Sequence, residues 1–367
     1  PVDDFPNQDG DHGRDALNVE GELAKVGDGV AGFDFSKVDA NGDELPVDAE
    51  NWTCVRDNQT GLLWEAKVQD VENLQHWGHT YTWFEPDYEF NGDEEGTPDG
   101  GDCDGSFCDT SSYVGAVRQI APCGVTDWRL PTIGELHGLV HYGTTEHDID
   151  IDTEFFPFTL GGYWSKSSSA SLTRFALAAH FSGRLFNIQA AFKSSSFSDP
   201  DALRIRLVSG QRDPVSTERH CDTSSLGSTT PTNAFIELEN GSIVYHKYTD
   251  LQWKRCAFGQ IWDGATCQGG ASFHTWETAL EIATSSPEDG WRLPNIKELE
   301  SIVERCKTDP AINDEIFKNS PTARVHTSSP QKIRDDITWA IEFSSGRQTQ
   351  HSLSDGATIR LVREAHH

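Results

Sequence analysis

An internal repeat constrains the fold of this chain more than any other feature of its sequence. Residues 124–136 read Gly-Val-Thr-Asp-Trp-Arg-Leu-Pro-Thr-Ile-Gly-Glu-Leu, and residues 289–299 read Asp-Gly-Trp-Arg-Leu-Pro-Asn-Ile-Lys-Glu-Leu. Each copy closes on Ile-Arg-Leu-Val, at 205–208 and at 359–362. Such a repeat predicts two copies of one structural module. The predicted parts are an acidic arm at 1–50, a first module at 51–210 with an acidic insertion at 85–109, a linker at 211–234 and a second module at 235–367.

The repeated segment carries the signature of a helix start. Thr132 with Glu135, and Asn295 with Glu298, have the spacing of a capping box. In a capping box the first side chain accepts a hydrogen bond from a free helix amide, and the glutamate accepts one from the cap residue. Apolar residues then recur three and four positions apart, as on a helix face that packs on a core. They are Ile133, Leu136, Leu139 and Val140 in the first copy, and Ile296, Leu299, Ile302 and Val303 in the second.

Short strands are predicted on the C-terminal side of each helix. Residues 175–178 and 339–343 alternate in the manner of half-buried strands, a glycine turn follows, and Ile-Arg-Leu-Val is predicted as the last strand of each copy. Trp128 and Trp291 stand at the same place in both copies and are predicted core residues. One short capped helix on short antiparallel strands, with long loops between them, makes each module α+β.

Eight cysteines without a Cys-x-x-Cys pair indicate disulfides rather than a zinc site. Two pairs lie close together in turn-rich segments and can close small loops. The other two pairs follow by elimination, and other connectivities of those four cysteines stay open. The predicted pairs are Cys103–Cys108, Cys256–Cys267, Cys54–Cys123 and Cys221–Cys306. Disulfides, a start at Pro1 and the lack of Met predict an extracellular or cell-surface protein after removal of a signal peptide.

The charge of the chain is strongly negative and unevenly distributed. Of a net charge of −30, most falls in the arm at 1–50, with fourteen acidic and three basic residues, and in 85–109, with ten acidic and no basic residues. Neither nucleic acid nor an anionic membrane is an expected partner of such a chain. No apolar run has the length of a membrane helix. Calcium is the expected cofactor, because it binds several oxygen ligands from closely spaced Asp, Asn and Glu.

Three acidic loops carry the predicted calcium ligands. The loop at 91–102 alternates oxygen-bearing side chains with glycine turns. The loop at 39–50 has the length of an EF-hand loop but lacks its glycine and contains Pro46, and the loop at 7–15 resembles Asp-rich calcium repeats. The alternative for each is a solvated acidic loop. The predicted ligands are Asn91, Asp93, Glu95, Asp99 and Asp102, then Asp39, Asn41 and Asp43, then Asp9, Asp11 and Asp15.

These motifs resemble the Lcl C-terminal domain family of bacterial exported proteins, in which the domain often occurs in tandem. The resemblance rests on the two Trp-Arg-Leu-Pro-x-x-x-Glu-Leu segments, on residues 57–65 and 255–267, and on the terminal Arg-Leu-Val-Arg. It covers residues 51–208 and 235–363 and implies a fold similar to C-type lectins and formylglycine-generating enzymes. An adhesin of this family is associated with sulfated glycosaminoglycans. The present chain has no basic patch for a polyanion unless calcium bridges the two.

An enzyme is not expected. A formylglycine-type site needs a reactive cysteine pair, whereas the cysteines here are predicted disulfides. The sequence shows no Ser/His/Asp or paired-carboxylate arrangement. His137 and His141 have the spacing of a helical metal pair, but the second copy has Glu300 and Glu304 in their places. A solvated helix face therefore explains these positions better than a metal site.

Recognition of polysaccharide is one non-enzymatic function that the sequence allows. Loops at 165–174, 193–200 and 328–336 are rich in Ser and carry scattered Lys and Arg, which suits hydroxyl-rich ligands. The predicted ligand-binding residues are Ser165, Lys166, Arg174, Lys193, Ser328, Lys332 and Arg334.

A structural subunit of a fibre is the function that we favour. Residues 19–26 and 32–38 of the acidic arm alternate in part, so the arm is expected to add a strand to its own module or to a neighbouring copy. A head-to-tail contact of this kind does not close and generates a filament. The expected partners are therefore copies of the chain itself, with calcium at the junction.

Overall fold

The computed structural model describes residues 5–87, 91–143, 149–170, 172–181, 188–193, 203–210, 221, 226–285, 290–331 and 334–365. The chain divides into two compact units, and each contains one copy of the repeat. The first unit is Arg14–Pro214, and the second unit is Pro1–Gly13 together with Val215–His367. Both are built mainly from small antiparallel sheets with few helices, so the architecture is α+β and mostly β. Most of the predicted linker, at 211–220 and 222–225, lies outside the described residues.

Among its described residues, the first unit contains two antiparallel sheets. Its strands are β1 (Phe35–Val38), β2 (Cys54–Asp57), β3 (Leu63–Glu65), β4 (Gly162–Ser168), β5 (Phe175–His180), β6 (Ile188–Phe192) and β7 (Val208–Ser209). They form a four-stranded sheet in the order β1-β2-β3-β7 and a three-stranded sheet in the order β4-β5-β6. The helices are α1 (Gly13–Glu20), which begins at the last N-terminal residue of the second unit, α2 (Thr110–Ile120) and α3 (Ile133–Gly138), with a 3-10 turn at Pro122–Gly124.

The second unit repeats this plan. Its strands are β8 (Phe235–Leu238), β9 (Ile243–His246), β10 (Leu251–Lys254), β11 (Ile261–Trp262), β12 (Cys267–Gln268), β13 (Arg324–Pro330), β14 (Ile337–Glu342), β15 (Arg347–Ser352) and β16 (Val362–Glu364). Its helices are α4 (Trp276–Thr284) and α5 (Ile296–Glu300), with 3-10 turns at Asp9–Asp11, Thr232–Ala234 and Glu239–Gly241. The order β16-β10-β9-β8 corresponds to β7-β3-β2-β1, and β13-β14-β15 corresponds to β4-β5-β6. A two-stranded hairpin, β11-β12, is an addition of the second unit.

The two capped helices begin as predicted. Thr132 Oγ1 accepts a hydrogen bond from the amide of Glu135, and the Glu135 carboxylate accepts one from the amide of Thr132 at 2.8 Å. The second copy repeats both bonds. The arginine of Trp-Arg-Leu-Pro explains the rest of the motif, because Arg129 donates to both oxygens of Glu135 and Arg292 donates likewise to Glu298. A bidentate pair thus fixes the capping glutamate in each repeat.

The predicted helix faces form part of the core. All eight apolar residues predicted from the three-and-four spacing are buried, each at most 2% exposed. The helices are short, so Leu139, Val140, Ile302 and Val303 reach the core from the turns that follow α3 and α5. Trp128 and Trp291 are also buried, which confirms them as core residues.

The last strand of each copy is shorter than predicted. β7 and β16 begin only at Val208 and Val362, the final residues of the two Ile-Arg-Leu-Val segments. Arg206 and Arg360 are buried, as are their apolar neighbours Ile205, Leu207 and Ile359, so these segments do not alternate between two faces as a half-buried strand does. Each guanidinium instead donates to a main-chain carbonyl at 2.7 Å, in Arg206 to that of Glu65.

The acidic arm supplies one strand to its own unit. β1 pairs antiparallel with β2 over all four of its residues. The partial alternation at 19–26 also predicted a strand, and this prediction is wrong. Val19 lies in α1, and residues 21–26 form no strand. The reason is that Val19 and Val26 are 84% and 79% exposed, so the alternation has no buried face to stabilise a strand.

Four disulfides account for all eight cysteines. They are the same pairs that the sequence predicts: Cys54–Cys123 and Cys103–Cys108 in the first unit, and Cys221–Cys306 and Cys256–Cys267 in the second. The two pairs that were assigned by elimination close the longest loops, with separations of 69 and 85 residues.

Candidate functional site

The predicted calcium loop at 91–102 binds the ammonium group of Lys193. Lys193 follows β6 and donates from Nζ to the backbone oxygens of Asn91 and Glu94, the latter at 2.8 Å. Its side chain is buried, and burial lowers the pKa of the ammonium to about 8. Asn91, a predicted calcium ligand, therefore contacts Lys193, a predicted glycan-binding residue. The ammonium of Lys193 already uses main-chain oxygens of the loop as hydrogen-bond acceptors.

The side chains of this loop also bond within the loop and its surroundings. Asn91 Oδ1 accepts a hydrogen bond from the amide of Asp93 at 3.0 Å, and Asp99 Oδ1 accepts one from the amide of Cys108 at 2.9 Å. The predicted acidic ligands of the loop are exposed, and within the described residues no three of them bring carboxylate oxygens within 4.8 Å of one another. They are Asp93, Glu95, Asp99 and Asp102.

Of the other two predicted calcium loops, the one at 39–43 is likewise closed by internal bonds. At 39–43, Asp39 accepts hydrogen bonds from the amides of Asn41 and Asp43 at 2.8 and 3.0 Å, and these bonds lower the pKa of the Asp39 carboxyl, that of Asp43 foremost. At 7–15 the predicted ligands divide between the units, since Asp9 and Asp11 belong to the second and Asp15 to the first.

Metal-ligating side chains cluster at a different place. Within the described ranges, only Cys221, Glu304 and Cys306 form a group of three or more His, Cys, Asp or Glu ligand atoms lying within 4.8 Å of one another. Both cysteines are joined in a disulfide, which makes them poor metal ligands. Calcium at the acidic loops stays a prediction.

The Ser-rich loops predicted for glycan binding are partly strands. Ser165 lies in β4 and Ser328 in β13, and both are buried. Ser165 Oγ donates to the carbonyl of Leu177 on the neighbouring strand at 2.6 Å, so its hydroxyl is used inside the sheet. The expectation that these two serines stand on exposed loops is wrong, because alternation within short Ser-rich strands is hard to distinguish from a polar loop.

The basic residues of the same loops are dispersed. Lys166 is half-buried, and burial lowers the pKa of its ammonium. Arg174 stacks over Phe175 and Phe192, and Arg334 pairs with Asp336 at 2.9 Å. Lys332 and residues 194–200 lie outside the described residues.

The helix face at 137 and 141, predicted to be solvated, is partly buried, and its counterpart in the second repeat is buried too. His137 is 1% exposed, and its Nε2 bonds to Tyr142 Oη. Glu304 is fully buried and accepts hydrogen bonds from the amides and hydroxyls of Thr229 and Thr230. The carboxylate therefore anchors the segment that leads into the second repeat, which is why an acidic residue is tolerated there.

Two tryptophans occupy equivalent places in the two repeats. Trp83 Nε1 donates to the carbonyl of Ser165 in β4 at 3.0 Å, and Trp276 Nε1 donates to that of Thr327 in β13 at 2.7 Å. A second bond confirms the correspondence, since Trp164 donates to Tyr81 O as His326 bonds to His274 O. Tyr-Thr-Trp at 81–83 thus matches His-Thr-Trp at 274–276.

The first of these tryptophans is covered by the acidic insertion of its own repeat. Residues 84–109 separate Trp83 from α2. The amide of Thr97 donates to Trp83 O at 3.1 Å, and Gly96 lies so close that a Cβ would meet that oxygen at 2.0 Å. The ammonium of Lys193 stands 4.3 Å from the centroid of the Trp83 ring. We call Trp83 with this cover the closed site.

The second tryptophan is covered by the N-terminus of the chain. Trp276 is itself the first residue of α4, so the repeat contains no insertion here. The ring of Phe5 packs edge-on against Trp276, with centroids 5.6 Å apart. Asp9 Oδ2 accepts a hydrogen bond from Ser329 Oγ at 2.8 Å, and Gln8 between them is buried. We call Trp276 with Ser329 the acceptor site and residues 5–12 the N-terminal segment.

The comparison with known proteins now fits this geometry. Two segments of the chain, residues 53–207 and 242–363, match the Lcl C-terminal domain. The chain belongs to this family. The closed site and the acceptor site are therefore the same position in two Lcl domains. No curated protein matches the chain. None of the described helices is both long and apolar enough to cross a membrane.

A buried ionic network distinguishes the first Lcl domain. Lys67 Nζ donates to Glu65 at 2.9 Å and to Tyr113 Oη at 2.8 Å, and Tyr113 donates to Glu65 in turn. Burial lowers the pKa of Lys67 and, with the adjacent Glu65 carboxylate, raises that of Tyr113. Such shifts are common in active sites. Here all three side chains are buried in the core, where the network holds β3 to α2.

Sequence reasoning missed the tryptophan positions and the N-terminal segment. The matching Thr-Trp pairs at 82–83 and 275–276 were a detectable signal, but the 84–109 insertion hides the repeat on their C-terminal side. The N-terminal segment gave no periodic signal, because Phe5 is the one large apolar side chain in residues 5–12.

Proposed function

We propose that this tandem Lcl protein is a non-enzymatic extracellular subunit of a surface fibre, in which the N-terminal segment of one copy docks on the second Lcl domain of the next. One observation carries the proposal. The N-terminal segment packs on the second Lcl domain, whereas the chain from Arg14 onward belongs to the unit of the first. The chain passes between units at Gly13, whose φ of +65° is a conformation that favours glycine.

The contacts of the segment suit exchange between copies. Phe5 and Asp9 contact Trp276 and Ser329 through side chains alone, and these contacts are the same whether the segment comes from its own chain or from another. Exchange of an identical element between copies requires no new interface. Because donor and acceptor lie at different places on the molecule, the contact is heterologous and continues into a filament unless the rotation closes a ring.

Other features support an extracellular fibre. Four disulfides are typical of oxidising compartments. A capped helix packed on antiparallel strands in each Lcl domain supports a C-type-lectin-like fold. The buried positions of Ser165 and Ser328 make polysaccharide binding through those residues the less favoured function.

Electron microscopy tests the proposal. The full chain is compared with Phe5→Ala/Asp9→Ala, which removes both side-chain contacts of the segment, and with Phe107→Ala, a control at an exposed phenylalanine of the insertion. We expect filaments of the natural chain and of the control, and dispersed particles of the double variant. Chelation of calcium forms a second arm, because the loops at 39–43 and 91–102 remain predicted calcium sites. Dispersed monomers of all three proteins, with and without calcium, would contradict the fibre.

A further inference from the structure

We infer that the acceptor site is a peptide-binding site, specific for a short segment that presents an aromatic residue followed four positions later by a carboxylate, as in Phe5-Pro-Asn-Gln-Asp9. The inference rests on the proposed function only for the source of the peptide, a neighbouring copy. The site itself is defined by its contacts within the second unit.

The hydroxyl of Ser329 sets the preference for a carboxylate. Ser329 Oγ accepts a hydrogen bond from the amide of Ile296 at 3.0 Å and donates its proton to Asp9 at 2.8 Å. The single proton of the hydroxyl goes to Asp9, so a ligand that uses this proton must present an acceptor there, such as a carboxylate oxygen. In the first Lcl domain Ser167 accepts from Ile133 in the same way, at 3.1 Å, but is half-buried where Ser329 is 1% exposed. The segment accounts for that difference in cover.

The ring of Trp276 sets the preference for an aromatic residue. The two rings meet edge to face, at an interplanar angle of 69°, an arrangement that aromatic pairs prefer. Phe5 also packs against the apolar cluster of α4, which includes Ala279, Leu280 and Ile359.

Internal hydrogen bonds hold the N-terminal segment in a turn. The amide of Gln8 donates to Asp11 Oδ2 at 3.1 Å, the amide of Asp11 donates to Gln8 O at 3.0 Å, and Gln8 Nε2 donates to Phe5 O. A turn that holds Phe5 and Asp9 in position before docking reduces the entropic cost of binding.

His12 is the last residue of the N-terminal segment. Burial, followed by the charge of Arg292, lowers the pKa of His12, while the carboxylates of Asp11, Glu364 and Glu298 act in the opposite direction. The imidazole therefore lies near the arginine that fixes the capping glutamate of α5. The segment thus reaches from Trp276, which Phe5 contacts, to Ser329, whose hydroxyl accepts from the first amide of that helix.

The closed site cannot take the same peptide. In the first Lcl domain the backbone of Gly96 lies against Trp83, and Lys193 stands over the ring. A chain with one open and one closed site has one acceptor and one donor, which gives a contact of fixed direction.

Peptide binding to the full chain tests the inference. A fluorescent peptide of residues 1–13 is titrated, by anisotropy, into Phe5→Ala/Asp9→Ala and into the natural chain. We expect it to bind the double variant about ten-fold or more tighter, because the natural chain's own segment competes for the site. Peptides with Phe5→Ala or Asp9→Ala should each lose about ten-fold in affinity, equivalent to about 1.4 kcal/mol.

Matched serine variants locate the site. Ser329→Ala, in the double-variant background, should weaken the peptide by about the same factor as Asp9→Ala in the peptide, and Ser167→Ala should leave its affinity unchanged. Equal binding to the natural chain and the double variant, equal losses for both serine variants, or no binding would each overturn the inference. Peptide binding by a protein that forms no filaments would refute the fibre but keep the site. Filaments of a protein that binds no peptide would support the fibre and overturn the peptide-binding site.

Discussion

The two Lcl domains place a tryptophan at the same position and cover it by different means. Trp83 is covered by residues inserted into its own domain, with Lys193 over its ring, while Trp276 is covered by Phe5 from the far end of the chain. The difference teaches that a repeated fold leaves this position in need of a cover and that the cover need not be part of the fold. Where it comes from elsewhere in the chain, the position becomes a site at which copies can be joined.

Replacing the two tryptophans should have the largest effect on the free energy of unfolding. Trp83→Ala and Trp276→Ala each remove a buried indole, and each should lower the free energy of unfolding of its own unit by about 3–5 kcal/mol. Trp276→Ala should in addition release the N-terminal segment. Hydrogen exchange read by mass spectrometry reports both effects by peptide. Equal loss of protection at residues 5–12 in both variants would mean that the segment does not depend on Trp276.

The position shared by His141 and Glu304 should show the next largest difference. Glu304→Gln leaves the amides of Thr229 and Thr230 with one acceptor fewer and brings a donor among them, so the second unit should lose about 2–3 kcal/mol of unfolding free energy. His141→Gln is the matched change in the first unit and should cost less than about 1 kcal/mol. Urea unfolding of both variants measures these values, and similar losses would contradict the anchoring role of Glu304.

The pH dependence of the first unit should reveal Lys193. Its pKa is about 8 in the folded protein against about 10.4 in an unfolded chain, so the unfolded state binds more protons between these values. The unfolding free energy of the first unit should therefore rise as pH increases from about 8 to about 10.4, by on the order of 1–3 kcal/mol. Lys193→Met should flatten this rise, which urea unfolding of both proteins across that range measures. An unchanged slope in the variant would show that the ammonium is not the group responsible.

The smallest expected effect is that of Phe5→Ala. Loss of one edge-to-face pair should destabilise the second unit by about 1 kcal/mol and leave the first unit unchanged. Thermal unfolding beside the Phe107→Ala control checks this. A loss of stability confined to the first unit would contradict the packing of the N-terminal segment on the second Lcl domain.

Elements with a strong local signal could be predicted from the sequence. The capping boxes at Thr132 and Asn295 and the buried faces that follow them form as predicted, because capping needs only residues three positions apart. The family resemblance was also visible, since both copies keep the Trp-Arg-Leu-Pro segment.

Features that depend on remote contacts could not be predicted. Arg206 reads as the polar member of an alternating strand, yet it is buried and donates to Glu65 O, a partner that the sequence does not reveal. The burial of Glu304 depends on Thr229 and Thr230, residues that precede the second copy. Lys193 meets Asn91 across a separation of 102 residues. The candidate site is of this kind, because Phe5 and Trp276 have no local relation in the sequence.

An engineered cross-link tests most directly whether the segment of one copy docks on another. Asp9→Cys and Ser329→Cys introduce two thiols where a 2.8 Å hydrogen bond now joins the side chains, and the natural cysteines are all in disulfides. The variant is prepared in natural and in ¹⁵N-labelled form, and equal amounts are mixed under assembly conditions, oxidised and digested. The account predicts that cross-linked peptides of mixed label, a light segment with a heavy acceptor or the reverse, are as frequent as those of a single label. Cross-links of a single label alone would show that each segment stays on its own chain, which contradicts the fibre.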